Sequence, residues 1–161
     1  MTSALHSSPV RAAGFTADTM VFTASGRVEI VQLAAGEEVL ARNEMTGDEL
    51  VRPVVKSHRT PRVPTFDLSY VDEDGYSPDA VSASASQAFW VLEKGWTPLA
   101  ELAAGDRILA AGSKTVTVSD VSPDVNSPAA VYNIEVADSH THFVGIDGLW
   151  VRAPAEKAGT D

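Results

Sequence analysis

Apolar and polar side chains alternate along most of this chain. Thr65-Phe66-Asp67-Leu68-Ser69-Tyr70-Val71, Lys114-Thr115-Val116-Thr117-Val118 and Val131-Tyr132-Asn133-Ile134-Glu135-Val136 place apolar groups at close to every second residue. That is the period of a strand with one buried face. Shorter runs with the same β-branched and aromatic content predict strands at Met20–Thr23, Glu38–Ala41, Phe89–Leu92, His142–Val144 and Leu149–Val151. Turn signals separate them at Ser25-Gly26, Thr46-Gly47, Asp74-Gly75, Lys94-Gly95, Ala111-Gly112 and Asp147-Gly148. The pattern predicts an all-β, compact domain. Pro53, Pro61 and Pro64 mark a crossover and argue against a central strand there.

The alternation is also duplicated. Gly26-Arg27-Val28-Glu29-Ile30-Val31-Gln32-Leu33-Ala34-Ala35-Gly36-Glu37-Glu38-Val39-Leu40-Ala41 returns as Gly95-Trp96-Thr97-Pro98-Leu99-Ala100-Glu101-Leu102-Ala103-Ala104-Gly105-Asp106-Arg107-Ile108-Leu109-Ala110. Seven of the sixteen positions are identical, and most of the other swaps that keep chemistry are Ile/Leu, Val/Ile and Glu/Asp. Two copies so far apart cannot form a solenoid, which needs several short repeats. Two half-domains related by a pseudo-twofold axis fit the spacing. Within each copy the Leu-Ala-Ala-Gly step predicts one helical turn, capped by Gly36 or Gly105.

Charge and composition narrow the partners. A formal charge of −10 disfavours a nucleic-acid groove. Asp72-Glu73-Asp74 with Asp79 reads as a solvated hairpin tip, since a calcium loop needs patterned oxygen ligands around a central Gly. The chain has no cysteine, which removes disulfides, thiolate zinc sites and a Cys nucleophile. No metal or cofactor is expected. Met1–Arg11 has no apolar stretch resembling a secretion signal, and no run is long and apolar enough to span a membrane. A monomer is expected. Residues 1–13 and 154–161 read as tails or flanking linkers of a longer polypeptide.

Three blocks of the chain resemble a known superfamily. Gly14-Phe15-Thr16-Ala17-Asp18-Thr19-Met20-Val21-Phe22-Thr23 is similar to its opening block. Gln87-Ala88-Phe89-Trp90-Val91, Lys94-Gly95-Trp96 and Leu102-Ala103-Ala104-Gly105-Asp106 are similar to its middle block. Val131–Val136, His140-Thr141-His142-Phe143-Val144-Gly145 and Gly148-Leu149-Trp150-Val151 are similar to its closing blocks. Order, spacing and duplication together resemble the HINT superfamily, the fold shared by Hedgehog autoprocessing domains and inteins. The resemblance extends to bacterial intein-like domains, including those placed before the toxin tip of secreted polymorphic toxins. It covers about 14–153, with halves of about 14–64 and 65–153. It implies a HINT fold, a self-cleavage or protein-splicing chemistry, and a place within a secreted bacterial protein.

The resemblance also implies where that chemistry should sit, and almost every position is altered. A Cys or Ser nucleophile falls on Gly14, which has no side chain to attack with. A middle Thr-x-x-His pair, whose His protonates the departing amide, falls on Ser84 and Gln87. Gln87 delivers no proton near neutral pH. The closing His-Asn pair falls on Arg152 and Ala153, and Pro154 is no splicing acceptor. His140, and with it Asp138, matches a family position. So many changes fit accumulated loss better than a single silencing substitution. The expectation is a catalytically inactive module that links its own flanking segments, with Gly14 and Ala153 side by side.

Two alternatives stay open. Residual self-cleavage at a domain boundary would use Thr16, or the nearby Thr19, with His140 or His142 as base. A peptide or protein partner would instead occupy the vestigial cleft, in a groove lined by Phe15, Phe89 and Trp90 beside a strand edge. His58 reads as a solvated crossover residue, and Trp90, Trp96 and Trp150 read as packing.

Overall fold

The computed structural model of the chain describes residues 13–153. Pro154 and the predicted tails, apart from Ala13, lie outside them. Among the described residues no helix is long and apolar enough to cross a membrane. The first half supplies β1 (Phe15–Thr16), β2 (Met20–Thr23), β3 (Gly26–Glu29), β4 (Glu38–Arg42) and β5 (Glu49–Val63). There follow β6 (Thr65–Val71), β7 (Val81–Ser84), β8 (Ala88–Val91), β9 (Gly95–Pro98), β10 (Arg107–Ala110) and β11 (Lys114–Pro123). The chain closes with β12 (Ala129–Val136), β13 (Thr141–Val144) and β14 (Leu149–Arg152). All the strand pairings are antiparallel and join into one sheet.

The sequence repeat is a structural repeat down to single hydrogen bonds. Leu33 N–H donates to Ile30 O at 3.2 Å, and Leu102 N–H to Leu99 O at 3.1 Å. Gly36 N–H reaches Val54 O at 2.8 Å, and Gly105 N–H reaches Val118 O at 2.9 Å. The Glu/Asp swap keeps a turn cap: Glu37 Oε1 accepts from Ala34 N–H at 2.9 Å, and Asp106 Oδ2 from Ala103 N–H at 3.0 Å. Lys94 Nζ adds a bond to Asp106 Oδ1, and this bond with the Ala103 amide holds the Asp106 carboxyl below its ordinary range. The helical turn comes earlier than predicted, as a 3-10 turn at Ile30–Gln32 and at Leu99–Glu101. Leu33 and Leu102 are already extended, because each N–H closes that turn rather than opening another.

The halves exchange strands. β12, late in the chain, pairs with β5 and β1, while β6 pairs with β11 and β7. β13 pairs with β2, and β14 with β8. A pseudo-twofold axis thus passes between β1 and β7, which meet at Phe15 and Ala83. The sheet's connectivity crosses the boundary between 14–64 and 65–153. Residues 129–144 pack on the first half.

The prolines were misread. Pro53 and Pro61 lie within β5, a strand of 15 residues. Pro53 ends the β4 ladder opposite Glu38. The pairing of β5 with β12 then slips twice, at Val55 and at Pro61-Arg62, where Arg62 takes a φ of 58°. A bulged residue has no ladder partner, so the missing proline N–H at position 61 costs no hydrogen bond. His58 is a second correction: on β5 its Nε2 pairs with the Glu135 carboxylate across the ladder, rather than standing free in solvent.

The main core includes Phe15, Val21, Leu68, Phe89, Ile108 and Ile134. A second cluster forms around Trp150 and Phe143, with Trp90 and Trp96 partly buried against it. Packing is what these tryptophans do. The hairpin of β13 and β14 turns at Gly148, whose φ is 70°. A Cβ there would stand 2.8 Å from Phe22 Cζ and 3.0 Å from Ala111 Cβ. Gly148→Ala is expected to cost about 1–3 kcal/mol through backbone strain and overpacking. A denaturant midpoint lowered at constant slope would register it.

Candidate functional site

The two turns nearest the pseudo-axis carry the predicted positions. Ser84 and Gln87 form one turn, closed by Gln87 N–H to Ser84 O at 3.2 Å. Thr16 and Thr19 form its mate, closed by Thr19 N–H to Thr16 O at 3.0 Å. The next link also matches: Leu99 N–H donates to Gln87 O at 2.8 Å, as Ile30 N–H does to Thr19 O at 2.8 Å. Thr16 and Thr19 are therefore the repeat partners of Ser84 and Gln87, a relation the sequence did not reveal.

Gly14 lies buried where this axis meets β12. Its N–H donates to Ser84 Oγ at 3.1 Å, and its carbonyl accepts from Ser84 N–H at 3.0 Å. A Cβ at position 14 would lie 2.7 Å from the carbonyl oxygen of Tyr132. That oxygen belongs to a strand, which moves less readily than a side chain. The space a nucleophile would need is filled by backbone.

Gln87 is fully buried, and every polar group of its side chain is engaged. Nε2 donates to Ala88 O at 3.1 Å and to Arg152 O at 3.0 Å. Oε1 accepts from Asn133 Nδ2 at 3.1 Å. The same Asn133 nitrogen donates to Ala13 O at 3.3 Å, and Asn133 Oδ1 accepts from Ile134 N–H at 3.0 Å. These partners fix both amide orientations, since flipping Gln87 would set its oxygen against two carbonyls. One continuous path runs from the carbonyl before Gly14 to the carbonyl of Arg152. Asn133 was missed in the sequence. The alternation that sets Tyr132, Ile134 and Val136 against the core assigns position 133 a polar residue on the other face, and no residue type there marks that face as buried.

The closing positions are held differently. The Arg152 guanidinium lies 5.4 Å from the Trp96 ring centroid, a cation–π contact. Ala153 is buried, and its N–H donates to His140 O at 3.2 Å. His140 is thus tied to the site by its backbone; its ring stands on an exposed residue with a φ of 60°. Asp138 sits nearby with a φ of 65° and pairs with Arg52 at 3.5 Å. His142 points the other way, fully buried, with its ring 6.2 Å from Phe15 in an edge arrangement. Among the described residues neither of its nitrogens has a hydrogen-bond partner, and burial lowers its pKa to about 3.

Thr16 Oγ1 lies 3.2 Å from Asp18 Oδ1 and 3.4 Å from Thr19 Oγ1. No hydrogen bond joins Thr16 to His140 among the described residues. The predicted groove needs correction, because Phe15 and Phe89 have no exposed surface and pack edge to face at 6.1 Å. Only Trp90 of that trio reaches solvent. Among the described residues no three His, Asp or Glu side chains converge as a metal site requires.

What the arrangement can do is hold peptide groups. The side chains hydrogen-bonded to the 13–14 peptide and to the Arg152 carbonyl are Ser84, Gln87 and Asn133, all neutral and none able to transfer a proton near pH 7.

The pretoxin HINT domain family matches residues 20–154. A solution structure of a bacterial intein-like domain from Clostridium thermocellum is similar at 26% identity and a TM-score of 0.77, over 86% of this chain and 97% of that one. A DnaB intein crystal structure from Synechocystis sp. is similar at 22% identity and a TM-score of 0.73, over 88% and 98%. No curated protein matches the chain.

Proposed function

The chain belongs to the pretoxin HINT family, and on that premise we propose that it is a catalytically silent member serving as a structural module. In this reading it holds the segments entering at Ala13 and leaving after Ala153 side by side, and its partners are those segments. The observation that carries the reading is Gly14. The position has no side chain, and the Tyr132 carbonyl occupies the place a Cβ would take. Two further losses support it. Gln87 binds the Arg152 carbonyl without being able to protonate a leaving nitrogen, and Ala153 has no side-chain amide to cyclise. Removing one general acid alone costs about 10²–10⁴ in rate, and here the nucleophile is absent as well.

The test is the intact mass of the domain with native flanks on both sides, held at neutral pH for a day with and without hydroxylamine. The expected mass is unchanged in both. Hydroxylamine-dependent release of a fragment ending at Ala13, or of any fragment ending at Ala153, would overturn the reading. Thr16 would then be the first residue to substitute.

A further inference from the structure

We propose that Gln87 and Asn133 form a latch that ties the incoming chain to the outgoing chain, in place of the proton-transfer group that the HINT resemblance implies at position 87. The proposal rests on the reading that the domain holds its two flanks together, and names the groups that do it. The tie runs from Ala13 O through Asn133 Nδ2 to Gln87 Oε1, then from Gln87 Nε2 to Arg152 O.

Carboxamides suit this task and the alternatives do not. Gln87 gives both protons of one nitrogen to two carbonyls while its oxygen accepts a third bond. An imidazole has at most one N–H on each nitrogen, and a carboxylate has none to give. Asn133 likewise uses one nitrogen for two bonds and its oxygen for a third. Both residues are almost wholly buried, where a hydrogen bond is stronger and a donor left unpaired is costly.

The other half of the molecule shows that the fold does not require the tie. Thr19 is the repeat partner of Gln87. Asp67 is the partner of Asn133, because Phe66 faces Ala83 of β7 as Tyr132 faces Phe15 of β1. Asp67 accepts from Ser82 Oγ at 2.5 Å, Thr19 turns to Thr16 at 3.4 Å, and no hydrogen bond joins Thr19 to Asp67. That half closes its strands without a bridge. The bridge belongs to the half where the chain enters and leaves.

The chain has no native cysteine, so one cysteine placed in each flank carries a unique dye pair. Energy transfer between the flanks is measured together with amide exchange at Gly14, Ala153 and Ile134. Gln87→Leu is close in shape and makes no hydrogen bonds. It is expected to lower transfer and to speed exchange at Gly14 and Ala153 by about tenfold or more, with Ile134 unchanged. Thr19→Val, in the unbridged turn, should change neither. Unaltered transfer and exchange in a folded Gln87→Leu protein would overturn the latch. Low transfer in the unmodified protein would instead remove the flank-holding reading, while exchange at Ala153 still reports on the tie. Should Gln87→Leu not fold, the unmodified protein decides. The two Gln87 Nε2 protons are expected to be protected from solvent exchange, and rapid exchange of either would overturn the proposal.

Discussion

Truncating Trp150 to alanine is expected to lower the unfolding free energy by about 3–5 kcal/mol, the range for removing a large buried aromatic side chain. Trp150 is 2% exposed and stands at the centre of the second cluster. Its ring centroid lies 4.8 Å from Trp96 and 5.3 Å from Trp90, and the Arg42 guanidinium lies 5.3 Å from it. Its strand is bound by β13 and β8, so the backbone cannot collapse into the void. Trp150→Phe should cost less than about 2 kcal/mol, because the buried indole nitrogen has no hydrogen-bond partner among the described residues to lose. Denaturant midpoints of the two variants measure both effects. Equal losses would mean that the indole N–H has a partner and that its loss, not the cavity, sets the cost.

The cluster also bears on what the sequence disclosed. Trp90, Trp96 and Trp150 were legible as packing because each sits in a run with strand period. The duplication was legible because its turn caps, Glu37 and Asp106, and its glycines, Gly36 and Gly105, recur in register. Glycine is needed there for backbone geometry, with φ of 95° and 96°. Local chemistry of this kind is written in consecutive residues.

Pairing between distant strands is not written that way. Nothing in residues 129–136 says that they return to β5, because an alternating strand satisfies any neighbour that covers its apolar face. β5 was hidden for a related reason. Pro53 and Pro61 are breakers by composition, and only the ladder shows that one ends a pairing and the other sits in a bulge.

The site divides in the same way. Gly14, Ser84, Gln87, Arg152 and Ala153 were named from their blocks, and hydrogen bonds link Gly14 to Ser84 and Gln87 to Arg152. Asn133 and the Tyr132 carbonyl were not located. Their roles depend on where β12 lies against Ala13 and Gly14, and that is tertiary information.

His142 gives the clearest pH dependence. It is fully buried, makes no hydrogen bond among the described residues, and has its pKa lowered by desolvation to about 3, against 6.5 for a free imidazole. Above pH 6.5 the ring is neutral in both folded and unfolded chains, and it imposes no penalty. Below that, the unfolded chain binds a proton that the folded chain refuses, so stability is lost as pH falls. The loss is about 1.4 kcal/mol per pH unit down to pH 3, or about 2–3 kcal/mol at pH 4.5. His142→Phe removes the titration and keeps an aromatic edge against Phe15. Contributions common to the two proteins cancel in the comparison. The stability of the variant minus that of the parent is therefore expected to rise by about 2–3 kcal/mol between pH 7.5 and pH 4.5, whatever its value at pH 7.5. Urea unfolding at several pH values measures this difference. A flat difference would mean that the imidazole finds a partner or water in solution. The inward face of β13, one residue from the Phe15 ring that follows Gly14, would then be open rather than sealed.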